Sequence, residues 1–195
     1  MERIEKQMQF ILEIDKEKQI KRKTLQSNGK DFEDDAQHAW HMAIMTLLLS
    51  EYANEKVDVL KTISMLLIHD LVEIDAGDTY AYDDQGLKTQ NERENLAANR
   101  IFNLLPEDQA KKVLHLWNEF EEIRTPEAKF ARVMDNFQPV MLNAATDGRM
   151  WVENGEYEGD YITEEVLKEQ YDIQDKLYLK GELSNGKVVT DTVML

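Results

Sequence analysis

Two residues able to bind a metal or move a proton stand side by side, His69-Asp70, in a run from Ile63 to Val72 that is otherwise apolar but for Ser64. A helix apolar on almost every side is expected to be buried. A buried carboxylate with no partner costs on the order of several kcal/mol. A metal ion is one of few partners that satisfies an adjacent His and Asp together. A hydrogen-bonded His–Asp core pair is the plainer alternative for this helix taken alone. Glu73 follows His69 at i+4, so the two project to the same face. Asp78 comes directly after Gly77, near the same helix end.

Two further segments add donors. His38 opens the apolar stretch Ala39-Trp40-His41-Met42-Ala43-Ile44-Met45, and Asp135 sits among Phe130, Val133, Met134 and Phe137. Two His and two Asp from three helices make a mixed nitrogen and oxygen ligand set. The chain has no cysteine, so thiolate sites and disulfides are excluded. Such a set suits Mn, Fe, Co, Ni or Zn, and less naturally Mg.

The elements that must position these residues read as helices. Apolar positions at Ile4, Met8, Ile11 and Ile14 give the first helix a period extending over about 2–23. Ser27-Asn28-Gly29 is a turn cluster, and Asp34 or Asp35 can cap a helix over about 36–52. A third helix is expected over 57–76, stopped by Gly77. A loop over 79–88 precedes helices at about 89–104, 107–120, 125–146 and 163–180. Pro106 and Pro126 stand at helix starts, and Pro139 should kink its helix beside Asp135. Residues 147–161 read as a loop, and Asn185-Gly186 as the turn of a short C-terminal hairpin. The expected architecture is one all-α domain over residues 1–195, a helical bundle.

Composition agrees with that reading. Only 8 Gly and 3 Pro in 195 residues leave few turn signals for an all-β fold. The opening segment carries charge throughout, unlike a secretory leader, and no run reaches the roughly 18 apolar residues of a membrane span. A cytoplasmic location is expected. The net charge of −16 argues against polymeric nucleic acid as a partner. A small anion can bind only where metal and local cations reverse that field.

The ordered set of His38, His69-Asp70 and Asp135 resembles the HD superfamily of metal-dependent phosphohydrolases. His69-Asp-Leu-Val-Glu-Ile-Asp-Ala-Gly-Asp78 is similar to the His-Asp-x-x-Glu-x-x-x-Gly-Asp signature of its 5'-deoxynucleotidase branch. Trp117-Asn-Glu119-Phe-Glu121 and Thr125-Pro-Glu-Ala-Lys-Phe-Ala also look like that branch, so the similarity runs from about residue 20 to 150. The resemblance implies an HD-type helical bundle and one divalent ion on His38, His69, Asp70 and Asp135. It implies catalytic carboxylates at Glu73 and Asp78. It also implies a basic residue before the first His that grips substrate phosphate, Arg22 or Lys23, with Lys30 as another candidate. The implied substrate is a small phosphorylated one, a nucleoside monophosphate, and the relatives suggest a homodimer. Gln37 and Ala39 depart from the Glu and Ser common beside the first His, so Gln37 removes one charge near the ion. The stretch Lys30-Asp31-Phe32 lacks the arginines common there.

Other residues read as structure. His41 and Trp40 are explained by packing, Trp117 by the core, and His115 by partial burial. The acidic runs Glu33–Asp35 and Glu119–Glu122 read as solvated faces, with Glu121 a possible neighbour of the ion. Only His41 and His115 remain as spare histidines, at spacings unsuited to a second metal. The alternative function is a metal-stabilised protein that senses a nucleotide without turning it over. A sensor, however, would need neither Glu73 nor Asp78.

Overall fold

The apolar period of the first segment forms a helix only as far as it lasts. In the computed structural model, which describes residues 2–79 and 84–153, α1 (Arg3–Ile14) ends where Ile14 is followed by polar residues. A 3-10 turn over Asp15–Gln19 leads into an extended Ile20. Lys21–Leu25 is therefore a strand, β1, paired antiparallel with β2 (Phe32–Asp34). The expected helix over 2–23 is corrected accordingly, and Arg22 and Lys23 stand on a strand, not at a helix end. The turn cluster closes this hairpin. Gly29 takes φ +65°, and Asn28 Oδ1 accepts from the N–H groups of Lys30 and Asp31 at 2.9 and 3.1 Å.

Asp34 caps α2 (Asp35–Leu49). Its carboxylate accepts from the Gln37 N–H at 2.9 Å, and Gln37 Oε1 accepts from the Asp34 N–H at 3.1 Å. The helix expected over 57–76 is broken in two. α3 (Val59–Leu66) gives way to a 3-10 turn, His69–Val72, before α4 (Glu73–Ala76). His69 Nδ1 bonds the Leu66 carbonyl at 2.9 Å, an acceptor that an unbroken helix would offer to the N–H of residue 70. α4 does stop at Gly77, whose φ of +75° suits glycine.

α5 (Asp84–Phe102), α6 (Glu107–Glu122), α7 (Pro126–Ala145) and α8 (Arg149–Glu153) complete the described elements. α8 lies where a loop was expected, and α5 starts earlier than expected. α7 runs on through Pro139, and Thr125 caps it as Pro126 opens it. The expected 163–180 helix and the C-terminal hairpin lie outside the described residues. Among the described residues the fold is helical apart from the two short strands. No helix among the described residues is long and apolar enough to cross a membrane.

Two apolar clusters flank the His69 turn. One joins Met42, Met45, Met65, Leu66, Phe120 and Phe130 with the inner face of α7. The other joins Leu71, Val72, Ala98, Ile101, Phe102 and Trp117. Each fully buried large side chain here contributes about 1.5–3 kcal/mol, so the turn between them is held from both sides. Trp117 is in the core as expected. Trp40 is not: it is 63% exposed. His115 is exposed as well, since its face of α6 points outward.

Candidate metal centre

α2, the broken helix and α7 converge at the joint of the two clusters. His38 is fully buried, and its Nε2 lies 3.1 Å from Asp135 Oδ1. His69 Nε2 lies 3.0 Å from Asp70 Oδ1 and 3.6 Å from Asp135 Oδ1. His38, His69 and Asp135 each offer one donor atom, and the three lie within 4.8 Å of one another. Asp70 is outside that trio but beside it. Each donor is braced from behind. The His69 ring packs on Phe120 with centroids 4.8 Å apart, and Trp117 Nε1 donates to the His69 carbonyl at 3.2 Å. Arg132, 4.1 Å over the Phe120 ring, donates to Asp135 Oδ2 at 3.0 Å, leaving Oδ1 for the centre.

The donor set fits a divalent metal. His69 Nε2 is buried without a hydrogen-bond partner, close to Asp70 but not aligned with it. Such orphaned atoms are uncommon and need a cause. The far nitrogens of both rings face oxygen atoms, Leu66 O and Gln138 Oε1, each 2.9 Å away. That arrangement directs both Nε2 lone pairs inward. Without metal, protons take that place. Burial pushes His69 down, but the charges of Asp70 and Asp135 outweigh it and raise the ring to about 10. Burial also opposes ionisation of Asp135, yet the hydrogen bond to His38 and the charges of His69 and Arg132 hold it well below the usual carboxylate range.

A second ring of charge surrounds the trio. Glu73 is buried with Oε2 unpartnered, and Asp35 is fully buried with Oδ2 unpartnered. Burial first, then the charges of Asp70 and Asp35, raise Glu73 far above its usual range. Burial and Asp70 raise Asp35 too, and the Arg22 charge partly offsets this. Burial raises Asp78, against the pull of Arg22. Arg22 Nη1 donates to Asp70 Oδ2 at 3.0 Å and to Asp35 Oδ1 at 3.2 Å.

Several expectations change here. Strand alternation turns Arg22 inward and leaves Lys23 exposed, and Lys30 is exposed as well. Gln37 is exposed and closes the α2 cap, so it does not face His38; the charge beside His38 comes from Glu33, 3.5 Å from Nδ1. Glu33, Asp34 and Asp35 are buried, not a solvated face. Asp35, Glu33, Arg132 and Gln138 were not foreseen as site residues. For three of them the signal was helical spacing: Asp35 precedes His38 by three residues, and Arg132 and Gln138 flank Asp135 at three on each side; Glu33, on β2, had none.

The model of the HD domain family matches residues 14–175. The chain belongs to that family, and its resemblance to the 5'-deoxynucleotidase-like branch of metal-dependent phosphohydrolases is borne out. It is 39% identical to a crystal structure of a predicted metal-dependent phosphohydrolase from Magnetospirillum magnetotacticum MS-1, covering 98% of this chain and 93% of that one, with a TM-score of 0.83. It is 29% identical over 104 residues to the human 5'-deoxynucleotidase HDDC2, 53% of this chain and 50% of that protein. The Dictyostelium discoideum protein of that name is 28% identical over 140 residues, 69% of this chain and 74% of its own length. The chain thus spans about half the length of most of the curated relatives it matches.

Proposed function

We propose that this protein is a metal-dependent phosphohydrolase that releases phosphate from a phosphomonoester of a small nucleotide-like substrate, in the manner of a 5'-deoxynucleotidase. The observation that carries the reading is the buried convergence of His38, His69 and Asp135 within 4.8 Å, with Asp70 at its edge. The names of the relatives support it.

In this reading His38, His69, Asp70 and Asp135 hold one divalent ion. When bound, the ion supplies a Lewis acid that polarises a phosphoryl oxygen, lowers the pKa of water and offsets the carboxylate charge. Glu73, buried near the Asp70 and Asp35 charges, holds the attacking water and takes its proton. Asp78, past the Gly77 stop, carries a raised pKa suited to giving a proton to the leaving oxygen. Arg22 offers the fork that matches phosphate oxygens. The exposed Lys23 is the weaker candidate for that contact.

The test is phosphate release from a panel of ribo- and deoxyribonucleoside monophosphates. Chelator-stripped protein is assayed alone and with Mn²⁺, Co²⁺, Zn²⁺ or Mg²⁺. Metal-dependent release from at least one monophosphate is expected. Tight nucleotide binding with no release under any metal would sink the reading in favour of a sensor.

A further inference from the structure

Gln138 lies one turn beyond Asp135 on α7 and is fully buried. Its amide makes three contacts. Oε1 faces His38 Nδ1 at 2.9 Å, and Nε2 faces Glu33 Oε1 at 2.6 Å and His41 Nδ1 at 3.0 Å. A carboxylate oxygen only accepts, so the nitrogen of the amide must point at Glu33. The same NH₂ group has a second hydrogen for His41. Burial lowers His41, which keeps that ring neutral and able to accept. Both amide hydrogens are thereby committed, and flipping the amide would set two acceptors against each other at 2.6 Å. The oxygen is left facing His38, whose Nδ1 must donate. Its Nε2 is then the nitrogen that faces Asp135 and the centre.

We propose that Gln138, anchored by Glu33 and His41, is a positioning residue that fixes the ring of His38 with Nε2 as the metal-binding atom. The inference rests on the metal reading above. Gln138 touches neither ion nor substrate in this arrangement; it acts through His38. Outer partners of metal-bound imidazoles typically contribute about 10–100-fold in metal affinity. Glu33 adds a second effect, because its Oε2 stands 3.5 Å from the same Nδ1 and favours a proton there.

The test measures Zn²⁺ affinity by chelator competition on the full chain. Gln138→Leu is expected to weaken Zn²⁺ binding about 10–100-fold. The double variant Glu33→Gln with Gln138→Glu exchanges amide and carboxylate. The new carboxylate at position 138 accepts from His38 Nδ1, from the new amide at position 33 and from His41, whose neutral ring carries its hydrogen on Nδ1 in this variant, so affinity should recover to within a few-fold of the parent. By ¹⁵N NMR of Zn²⁺-loaded protein, the His38 Nδ1–H should be slow to exchange in the parent and the double variant, and fast in Gln138→Leu. Unchanged Zn²⁺ affinity in Gln138→Leu overturns the proposal. So does a double variant as weak as the single one. If Gln138→Leu does not fold, the double variant decides: parent-like affinity with a protected Nδ1–H supports the proposal, and loss of both overturns it. A parent protein that takes up no Zn²⁺, Mn²⁺ or Co²⁺ overturns the metal reading and this inference with it.

Discussion

Arg22 Nη1 stands 3.0 Å from Asp70 Oδ2, so a cation facing the candidate centre is already shared with one of its acids. The Arg22 side chain is only 16% exposed, and Asp35 holds the same nitrogen at 3.2 Å. The guanidinium is thus fixed before any phosphate arrives, which lowers the ordering cost of binding one. A charge-assisted hydrogen bond is worth about 1.5–3 kcal/mol, and each 1.36 kcal/mol is about tenfold in rate. Arg22→Gln is therefore expected to lower kcat/KM on a nucleoside monophosphate by roughly ten- to hundredfold. Metal content should not fall. Lys23→Gln should stay within about threefold of the parent, as suits an exposed charge. Steady-state kinetics beside metal analysis check this, and a larger loss in Lys23→Gln would reverse the assignment.

Metal removal tests the centre directly. His69→Ala and Asp70→Ala should each abolish tight uptake of one divalent ion. An ion bound only by the folded state stabilises it, by about 2.7 kcal/mol at a hundred times Kd. The parent should melt at a lower temperature in chelator, while both variants should melt at the same temperature with and without it. Full metal occupancy in both variants, read by elemental analysis, would remove these residues from the ligand set.

Much of this arrangement could be read from the chain. The His69-Asp70 pair announced itself because it breaks an apolar run, and Asp135 stood out among Phe130, Val133 and Met134 in the same way. Helical period placed α2, α6 and α7 to within a few residues. The β1–β2 hairpin was missed because Lys21-Arg22-Lys23-Thr24 has no apolar alternation; it is held by backbone pairing and by the turn at Asn28-Gly29. The break at His69 was missed because its cause is a side-chain bond to a carbonyl, not a helix-breaking residue. Asp35 looked like one acid in a solvated run. Only the fold shows that Arg22, from the first strand of the hairpin leading into α2, comes to meet it.

The buried acids give the metal-free protein an unusual pH dependence. Burial, then Asp70 and Asp35, raise Glu17 to about 8 from an ordinary 4.5. Asp35 and Glu73 are raised as well. Between about pH 5 and pH 7 the folded state therefore holds more of these protons than the unfolded chain. Stability then falls as pH rises, by about 1.4 kcal/mol per pH unit for each such proton. His69, raised to about 10, acts in the same direction above its ordinary 6.5. Chelator-treated protein should melt at a higher temperature at pH 5 than at pH 8. Asp70, held low, opposes this only when pH falls through the usual carboxylate range. A melting temperature that rises steadily from pH 5 to pH 8 in chelator would contradict the burial of these acids.

The last expectation separates catalysis from metal binding at Glu73 and Asp78. Glu73 is buried, and without metal its raised pKa keeps it protonated at neutral pH. A neutral amide of the same shape is a close mimic of that protonated acid, so Glu73→Gln should fold and should melt in chelator near the parent temperature. The variant cannot accept a proton from water, however. General base catalysis typically contributes about 10²–10⁴-fold, so kcat should fall by at least about a hundredfold with metal content unchanged. Asp78→Asn should behave alike in metal content, and its loss of kcat should shrink for substrates with better leaving groups, because proton donation to the leaving oxygen then matters less. Phosphate release from a nucleoside monophosphate and from p-nitrophenyl phosphate makes the comparison. Loss of metal from Glu73→Gln would move that residue into the ligand set. Full activity in both variants would mean that another group activates the water.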